Sequence, residues 1–174
     1  MQRPIKPEWL LRQADVLAGR SGGQGQPINA DLRRAVSAAY YALFHHLALL
    51  AADQLLPNGT QQDRWRFTRH MQHTAMLRVC EWTLGKAPPL RYRQLFAPLG
   101  NDPRLVDVAI AFQALQQERH SADYDHEASY TKPQVLNLID LARDAIQKAD
   151  SLVGRNILQV FLLHMAITSK MPGT

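Results

Sequence analysis

The sequence predicts an all-α fold, an antiparallel bundle of about five helices forming a single domain over residues 1–174. Apolar side chains recur every three or four residues along most of the chain, which is the spacing of a buried helical face. No segment shows the period-two alternation typical of a strand. Gly, Pro and Asn clusters separate the periodic segments by mostly short links, as in antiparallel bundles.

The first predicted helix runs from Pro7 to Ala18, and Gly19 is a suitable residue to end it. The glycine-rich "SGGQGQP" predicts a flexible loop. A second helix begins near Asn29, a favourable N-cap, and carries Asp31 in its first turn. Its apolar stripe is the strongest periodic signal in the chain and comprises Leu32, Val36, Ala39 or Tyr40, Leu43, Leu47 and Leu50.

A third helix is predicted from about Gln62 to Leu84, followed by a long loop over residues 85–103. Four prolines occur in that loop. Loops of this length are uncommon in small helical domains, so we expect the loop to be functional or to contain a short helix. The run "RYRQLF" is the candidate for that helix.

Asp102 and Pro103 predict the start of a fourth helix, as its N-cap and first residue, and the helix extends to about Tyr124. The last helix begins at Lys132 or Pro133 and continues through Gly154 to about Thr168. Its apolar C-terminal extension, residues 151–168, contains the run "ILQVFLLHMAI". That run is too short to span a bilayer, which favours a core or interface helix.

The composition is that of a soluble protein, with 46% hydrophobic and 20% charged residues. The first residues contain no unbroken apolar run, so we expect no secretory signal. The short run at residues 157–167 contains Gln159 and His164, so we expect no membrane association. Cys80 is the single cysteine, which excludes an intrachain disulfide and fits a cytoplasmic location. No sequence feature indicates a cofactor.

Positive charge is concentrated in one segment, residues 64–104, where eight basic residues accompany only two acidic ones. Such a segment is typical of a surface that binds a polyanion, although a solvated arginine-rich helix face gives the same pattern. Five of its arginines are candidates for contacts to an RNA backbone: Arg64, Arg66, Arg69, Arg91 and Arg93. Interleaved aromatic residues either stack on bases or belong to the core.

The stretch "RHSADYDH", residues 119–126, ends the fourth helix in an unusual way. The apolar stripe Leu105, Val108, Phe112 and Leu115 leads, at the same spacing, to Arg119 and then to His126. If the helix continues to His126, these two side chains share one face about 10 Å apart, with Asp123 between them. A buried arginine requires a partner, a wet cleft or an interface. The alternative is a helix that emerges into solvent, with Arg119 and Asp123 as a weak surface pair.

Two segments resemble the HEPN domain family of small helical bundles. "LRRAVSAAYYALFHHLALLAADQLL" is similar to the second helix of HEPN domains, and "ERHSADYDH" is similar to their signature, an arginine and a histidine separated by four to six residues. The "R-x-x-A-D-Y" run from Arg119 to Tyr124 is similar to one branch of the family. The resemblance covers about residues 30–150.

This resemblance implies a homodimer in which two Arg/His motifs face each other, and a metal-independent ribonuclease, often a toxin or defence effector. Arg119 would hold the scissile phosphate and its developing charge. His126 would transfer protons to and from the 2′-oxygen and the leaving oxygen. His120, Asp123 and Tyr124 would be supporting residues.

The HEPN signature also leaves the register of the histidine slot open. In toxins that pair with a nucleotidyltransferase-type antitoxin, the motif resembles Arg, four residues, His, one residue, Tyr. Here the His and Tyr slots are exchanged, so either His126 or Tyr124 occupies the acid/base position. The alternative function is a non-catalytic HEPN module that binds a partner protein or a nucleotide. A DNA-binding regulator is less favoured because no helix-turn-helix pattern is present.

A metal site is a weaker interpretation of the histidines. His70 and His73 lie three residues apart and can share a Zn²⁺ ion. Asp63 lies seven residues before His70 and Cys80 lies seven residues after His73, so neither reaches the same ion. We therefore expect no metal. His46, beside the stripe of the second helix, is interpreted as a structural histidine in preference to a second catalytic one.

Overall fold

The computed structural model describes residues 5–21 and 25–170, without the side chains of Arg91 and Lys170. Within these ranges the chain is all-helical and contains no β-strand, which confirms the predicted fold class. The α-helices are α1 (Pro7–Leu17), α2 (Asn29–Leu55), α3 (Gln61–His70), α4 (His73–Thr83), α5 (Arg93–Phe96), α6 (Pro103–Tyr124), α7 (Lys132–Ser151) and α8 (Asn156–Lys170). Two 3₁₀ turns, Leu90–Tyr92 and Leu99–Asn101, flank α5.

The described helices number eight, whereas about five were predicted. The predicted third helix is broken at Met71 and Gln72, which both have extended backbone. The N–H group of Gln72 donates to Ser169 Oγ on α8 instead of continuing a helix. This break buries the Met71 side chain in the core.

The predicted last helix is also two helices, because α7 and α8 meet at an angle of 117°. Gly154 lies between them with φ of +82°. This left-handed conformation often follows the end of a helix, and residues other than glycine adopt it rarely. The loop over residues 85–103 does contain a short helix within "RYRQLF", as one of its two interpretations predicted.

The long α2 is the centre of the molecule and packs against α1, α6, α7 and α8. Helix α4 packs on α6 and on α8 at the other side. A single cluster of buried side chains extends from α1 to α8 and includes Tyr40, Phe112 and Phe161. The predicted stripe of α6, Leu105 to Leu115, is fully buried in this cluster.

The apolar run of α8 belongs mainly to this core, since Leu158, Phe161, Leu162 and Met165 are buried. Only α2 among the described helices has the length and hydropathy of a single membrane span. Two thirds (67%) of its apolar window is buried inside the protein, as in the core helix of a soluble domain.

Helix starts depend on different side chains. Asp102 caps α6 as predicted, since its carboxylate accepts the Arg104 N–H at 3.0 Å. Asn29 does not cap α2, because the N-cap position is Ile28. The Asn29 side chain instead binds the connection between α6 and α7, donating to the Ala128 carbonyl at 3.1 Å and accepting from the Tyr130 N–H at 3.0 Å.

Candidate functional site

Arg119 lies near the end of α6 with its guanidinium held against α2. Its side chain is 19% exposed and its Nη2 donates to the Tyr41 hydroxyl at 2.9 Å. Its Nε lies 2.7 Å from Asp123 Oδ2, in an ion pair that does not meet the angular requirement of a hydrogen bond. No hydrogen bond engages Nη1 among the described residues, so one edge of the guanidinium is available to a ligand.

Asp123 is itself fixed by α2, because the Ser37 hydroxyl donates to Asp123 Oδ1 at 2.5 Å. Ser37 and Tyr41 lie one helical turn apart, and so do Arg119 and Asp123. Two facing turns of α2 and α6 are therefore joined by a polar network of four side chains. The spacing predicted an Arg119–Asp123 pair, and this pair is present in a half-buried setting rather than on an open surface.

The protonation of Arg119 reflects two opposing effects. Burial of the guanidinium lowers its pKa, but the nearby Tyr41 and Asp123 side chains favour the charged form and leave the pKa raised. Arg119 is therefore a permanent cation at a partly desolvated position. Such a cation attracts an anion more strongly than a fully hydrated arginine does.

Arg33, one turn before Ser37, holds the end of α6. Its Nε donates to the Ala122 carbonyl and its Nη2 donates to the Asp125 carbonyl, both at 2.7 Å. Ala122 lies in the last turn of α6, where carbonyls lack an intrahelical N–H partner, and Asp125 is the C-cap residue that follows. Arg33 thereby fixes the segment that carries Arg119 and Asp123.

Four polar residues of α2 thus form one ladder directed at residues 119–130, and sequence reasoning missed it. They recur at every fourth position and comprise Asn29, Arg33, Ser37 and Tyr41. The signal was readable as a polar stripe at helical spacing beside the strong apolar stripe. The predicted orientation of α2 rests on the apolar stripe alone.

His126 does not share the face of Arg119 and Asp123. Helix α6 ends at Tyr124, Asp125 has extended backbone, and His126 lies exposed in the following turn. It makes no hydrogen bond or ion pair with the described residues. Within one chain, the expected three-residue face therefore contains only Arg119 and Asp123.

Tyr124, and not His126, lies beside Arg119. Its ring centre lies 5.5 Å from the guanidinium carbon of Arg119, and the residue is 61% exposed. The His120 ring packs against the Tyr124 ring with centres 5.1 Å apart. The candidate site thus combines a held cation with an exposed aromatic ring and a second exposed histidine.

A further histidine, His73, lies on the other side of Tyr41. Its Nδ1 is 2.6 Å from the Tyr40 hydroxyl, and its ring stacks on Phe44 with centres 3.9 Å apart. Burial, with the Arg119 charge and His45 as additional causes, lowers the pKa of His73 to about 4. Burial likewise lowers the pKa of His45. His73 is consequently a neutral histidine at physiological pH.

No metal-binding cluster of three or more His, Cys, Asp or Glu residues occurs within the described ranges. The break between α3 and α4 separates His70 from His73, which lie in different helices. Cys80 is fully buried, and burial raises the pKa of its thiol, so it is an unreactive thiol. His46 contacts Asp150 at 2.8 Å and so links α2 to α7, a structural role.

The predicted RNA-contacting arginines fall into separate groups. Arg64 is held by the Leu56 and Pro57 carbonyls and by Asp53, so its role is structural. Arg66 is exposed and lies 3.8 Å from Asp63. Arg69 and Arg93 are exposed and have no partner among the described residues. The Arg91 side chain lies outside the described part of the chain.

Four aromatic side chains interleaved with these charges belong to packing. Phe96 is buried, and Phe67, Trp82 and Tyr92 pack against the core.

Comparison with protein-family models, curated proteins and solved structures finds no match to this chain. The function is therefore inferred from the geometry of Arg119 and its neighbours together with the sequence motif.

Proposed function

We propose that this chain is a metal-independent endoribonuclease of the HEPN type that acts as a homodimer in the cytoplasm. The observation that carries the proposal is the Arg119 guanidinium, which is permanently charged, half-buried and held from two sides. An arginine in this setting is suited to bind a phosphate through paired, charge-assisted hydrogen bonds. The exposed Tyr124 ring of the motif lies beside this guanidinium.

The chemistry requires one cation and proton transfer at two oxygens. A histidine accepts the proton of the RNA 2′-hydroxyl, and the 2′-oxygen attacks phosphorus. The bond from phosphorus to the 5′-oxygen breaks as that oxygen takes up a proton, leaving a 2′,3′-cyclic phosphate and a 5′-hydroxyl. Arg119 stabilises the charge that develops on the phosphate oxygens, and His126 transfers the protons.

Pairing of two copies would bring the motif residues together. Because His126 is exposed beyond the end of α6, its imidazole is free to approach Arg119 of a second copy. Asp123 positions Arg119, while His120 and Tyr124 contact the RNA. The exposed Arg69 and Arg93 supply backbone contacts at a distance. In a toxin–antitoxin setting the proposed partner is a nucleotidyltransferase-type antitoxin.

A second candidate function is a non-catalytic HEPN binding module. One observation favours it: His126 has no described partner that would orient its ring, whereas catalytic histidines are usually oriented by a hydrogen bond to the second ring nitrogen. Such a module would use Arg119 to bind an anionic group without cleaving it.

RNA cleavage by the purified chain in EDTA separates these candidates. The nuclease proposal predicts cleavage with 2′,3′-cyclic phosphate ends. Arg119→Ala should slow cleavage by about a hundredfold or more, the usual effect of removing a charge-stabilising donor. Arg78→Ala is the matched control, since Arg78 is exposed and has no described partner. Absence of cleavage by a folded dimer would favour the binding module.

Comparison of His126→Ala with Tyr124→Phe resolves the register of the acid/base position. If His126 transfers the proton, His126→Ala abolishes cleavage, while Tyr124→Phe has a small effect. The reverse result assigns the slot to Tyr124. His70→Ala is the control, because His70 is exposed and has no described partner.

A further inference from the structure

A second feature adjoins the Arg119 site: an open cleft of about 640 Å³ between α1, α2 and the end of α6. Tyr41 and Asp123 line the cleft and also contact Arg119, so the cleft adjoins the Arg119 network. A volume of this size is in the range of small-molecule binding sites. The cleft lies on the face of α2 that carries the polar ladder.

The polar side chains of the cleft divide into two sets. One set is engaged in contacts within the protein and comprises Asn29, Arg33, Ser37, Tyr41 and Asp123. Gln13 and Arg34 line the same cleft, are exposed, and form no hydrogen bond or ion pair with the described residues. Their amide and guanidinium groups are therefore available to a ligand. The negative charge of Asp123 is balanced by Arg119, so it does not repel an anion placed between the two arginines.

The remaining lining of the cleft is apolar and small. Leu10 and Leu17 lie on one face of α1, and Ala30 and Ala38 lie on the facing side of α2. Side chains of this kind offer flat surfaces for the faces of a nucleobase, which is read by polar groups at its edge. The Gln13 amide both donates and accepts hydrogen bonds, as such an edge requires.

Two cationic groups lie apart along the cleft. Arg34 and Tyr41 are separated by seven residues of α2, about 10 Å along its axis. Arg119 is bound to Tyr41, so the cations Arg119 and Arg34 are separated along α2 by the part of the cleft that includes Ala38. A nucleotide within an RNA strand has the same order of groups, with a phosphate on either side of each base.

We infer that this cleft binds the base of the ribonucleotide next to the phosphate held by Arg119, and that it gives the site a base preference. Arg34 binds the neighbouring phosphate and Gln13 reads the edge of the base. The inference rests on the proposed function for its RNA substrate. As a binding site, it is measurable without any cleavage.

The test uses the four ribonucleoside 3′,5′-bisphosphates and inorganic phosphate as probes, titrated into the full chain and followed by backbone amide NMR shifts. Gln13→Ala and Arg34→Ala remove the two available polar groups, and Ala30→Leu fills the cleft from an exposed position. Arg12→Ala is the matched control, because Arg12 is an exposed arginine of α1 that does not line the cleft. Circular dichroism establishes that each variant is folded.

The expected result is tighter binding of one or two bisphosphates than of inorganic phosphate. Gln13→Ala should reduce the difference between bases by about two- to tenfold, the worth of one hydrogen bond. Arg34→Ala should weaken the binding of all four bisphosphates alike. Ala30→Leu should make all four bind more weakly than inorganic phosphate, and Arg12→Ala should leave every affinity unchanged. Equal binding of the four probes by the wild type, or unchanged binding by Ala30→Leu, overturns the inference.

Cleavage of RNA by the same variants separates this inference from the proposed function. Cleavage that depends on Arg119, without base-selective binding, leaves the nuclease standing and removes the base site. Base-selective binding that Ala30→Leu abolishes, without any cleavage, leaves the cleft as a nucleotide site and removes the nuclease.

Discussion

Acidification is expected to destabilise this fold through His73. The pKa of His73 is about 4 in the folded chain, compared with an ordinary value of 6.5. Burial against Phe44 and Tyr40 is the main cause, and the charge of Arg119 acts in the same direction. A protonated His73 would place a second cation beside Arg119 at a partly desolvated position.

The direction of the effect follows from proton uptake in the two states. The unfolded histidine takes up a proton as the pH falls through about 6.5, whereas folded His73 stays neutral until about pH 4. The unfolded state therefore binds more protons throughout this window. Stability rises with pH there, and it is lost as the pH falls.

The magnitude follows from the same two pKa values. If the whole difference between the two pKa values counts, acidification from neutral pH to about pH 5 lowers the free energy of unfolding by about 2 kcal/mol. Because His73 is only partly buried, solvent screening reduces this to about 1 kcal/mol. Burial also lowers the pKa of His45 and of His164, so their contributions have the same sign.

The assay is the free energy of unfolding in urea, measured from about pH 7.5 to about pH 5. His73→Gln removes the titrating group, and its unfolding free energy should fall less steeply on acidification than that of the wild type. His70→Gln is the matched control, since His70 is exposed and three residues away. A His73→Gln variant that loses stability on acidification as steeply as the wild type would refute the reasoning.

Three further predictions concern single contacts. Arg33→Ala should lower the free energy of unfolding by about 2 kcal/mol, because two carbonyls at the end of α6 lose a charged donor. The neighbouring change Arg34→Ala is the control, and it should change the unfolding free energy by less than about 0.5 kcal/mol in the same urea titration. Tyr41→Phe should slow RNA cleavage by about tenfold without unfolding the chain, since Arg119 loses one of its two anchors; equal rates would contradict this. Gly154→Ala should lower the melting temperature by several degrees, since φ of +82° costs an alanine about 1 kcal/mol. An unchanged melting temperature would mean that alanine fits this turn without strain.

The sequence predicted the fold class and the long helices because their apolar stripes are strong. The start of α6 at Asp102 and its end at Tyr124 were readable from capping residues and periodicity. The break at Met71 was not readable, since it depends on Ser169, which is far away in the chain. The bend at Gly154 was missed because a glycine inside an apolar pattern is compatible with either a helix or its end.

The candidate site was predicted only in part. The spacing of Arg119 and Asp123 gave their pairing, because neighbouring turns of one helix are set by local geometry. The partners on α2, Ser37 and Tyr41, depend on how two helices face each other, which periodicity does not fix. The position of His126 depends on where α6 ends, and a difference of two residues there removes it from the shared face.

The most direct test of the central claim is the rate of RNA cleavage in EDTA by the wild type and by Arg119→Lys. Lysine keeps the positive charge but lacks the planar, paired donors that hold both Tyr41 and a phosphate. The account predicts metal-independent cleavage by the wild type and a loss of about a hundredfold in the variant, with the fold intact. Cleavage at the wild-type rate by Arg119→Lys, or no cleavage by either protein, would contradict it.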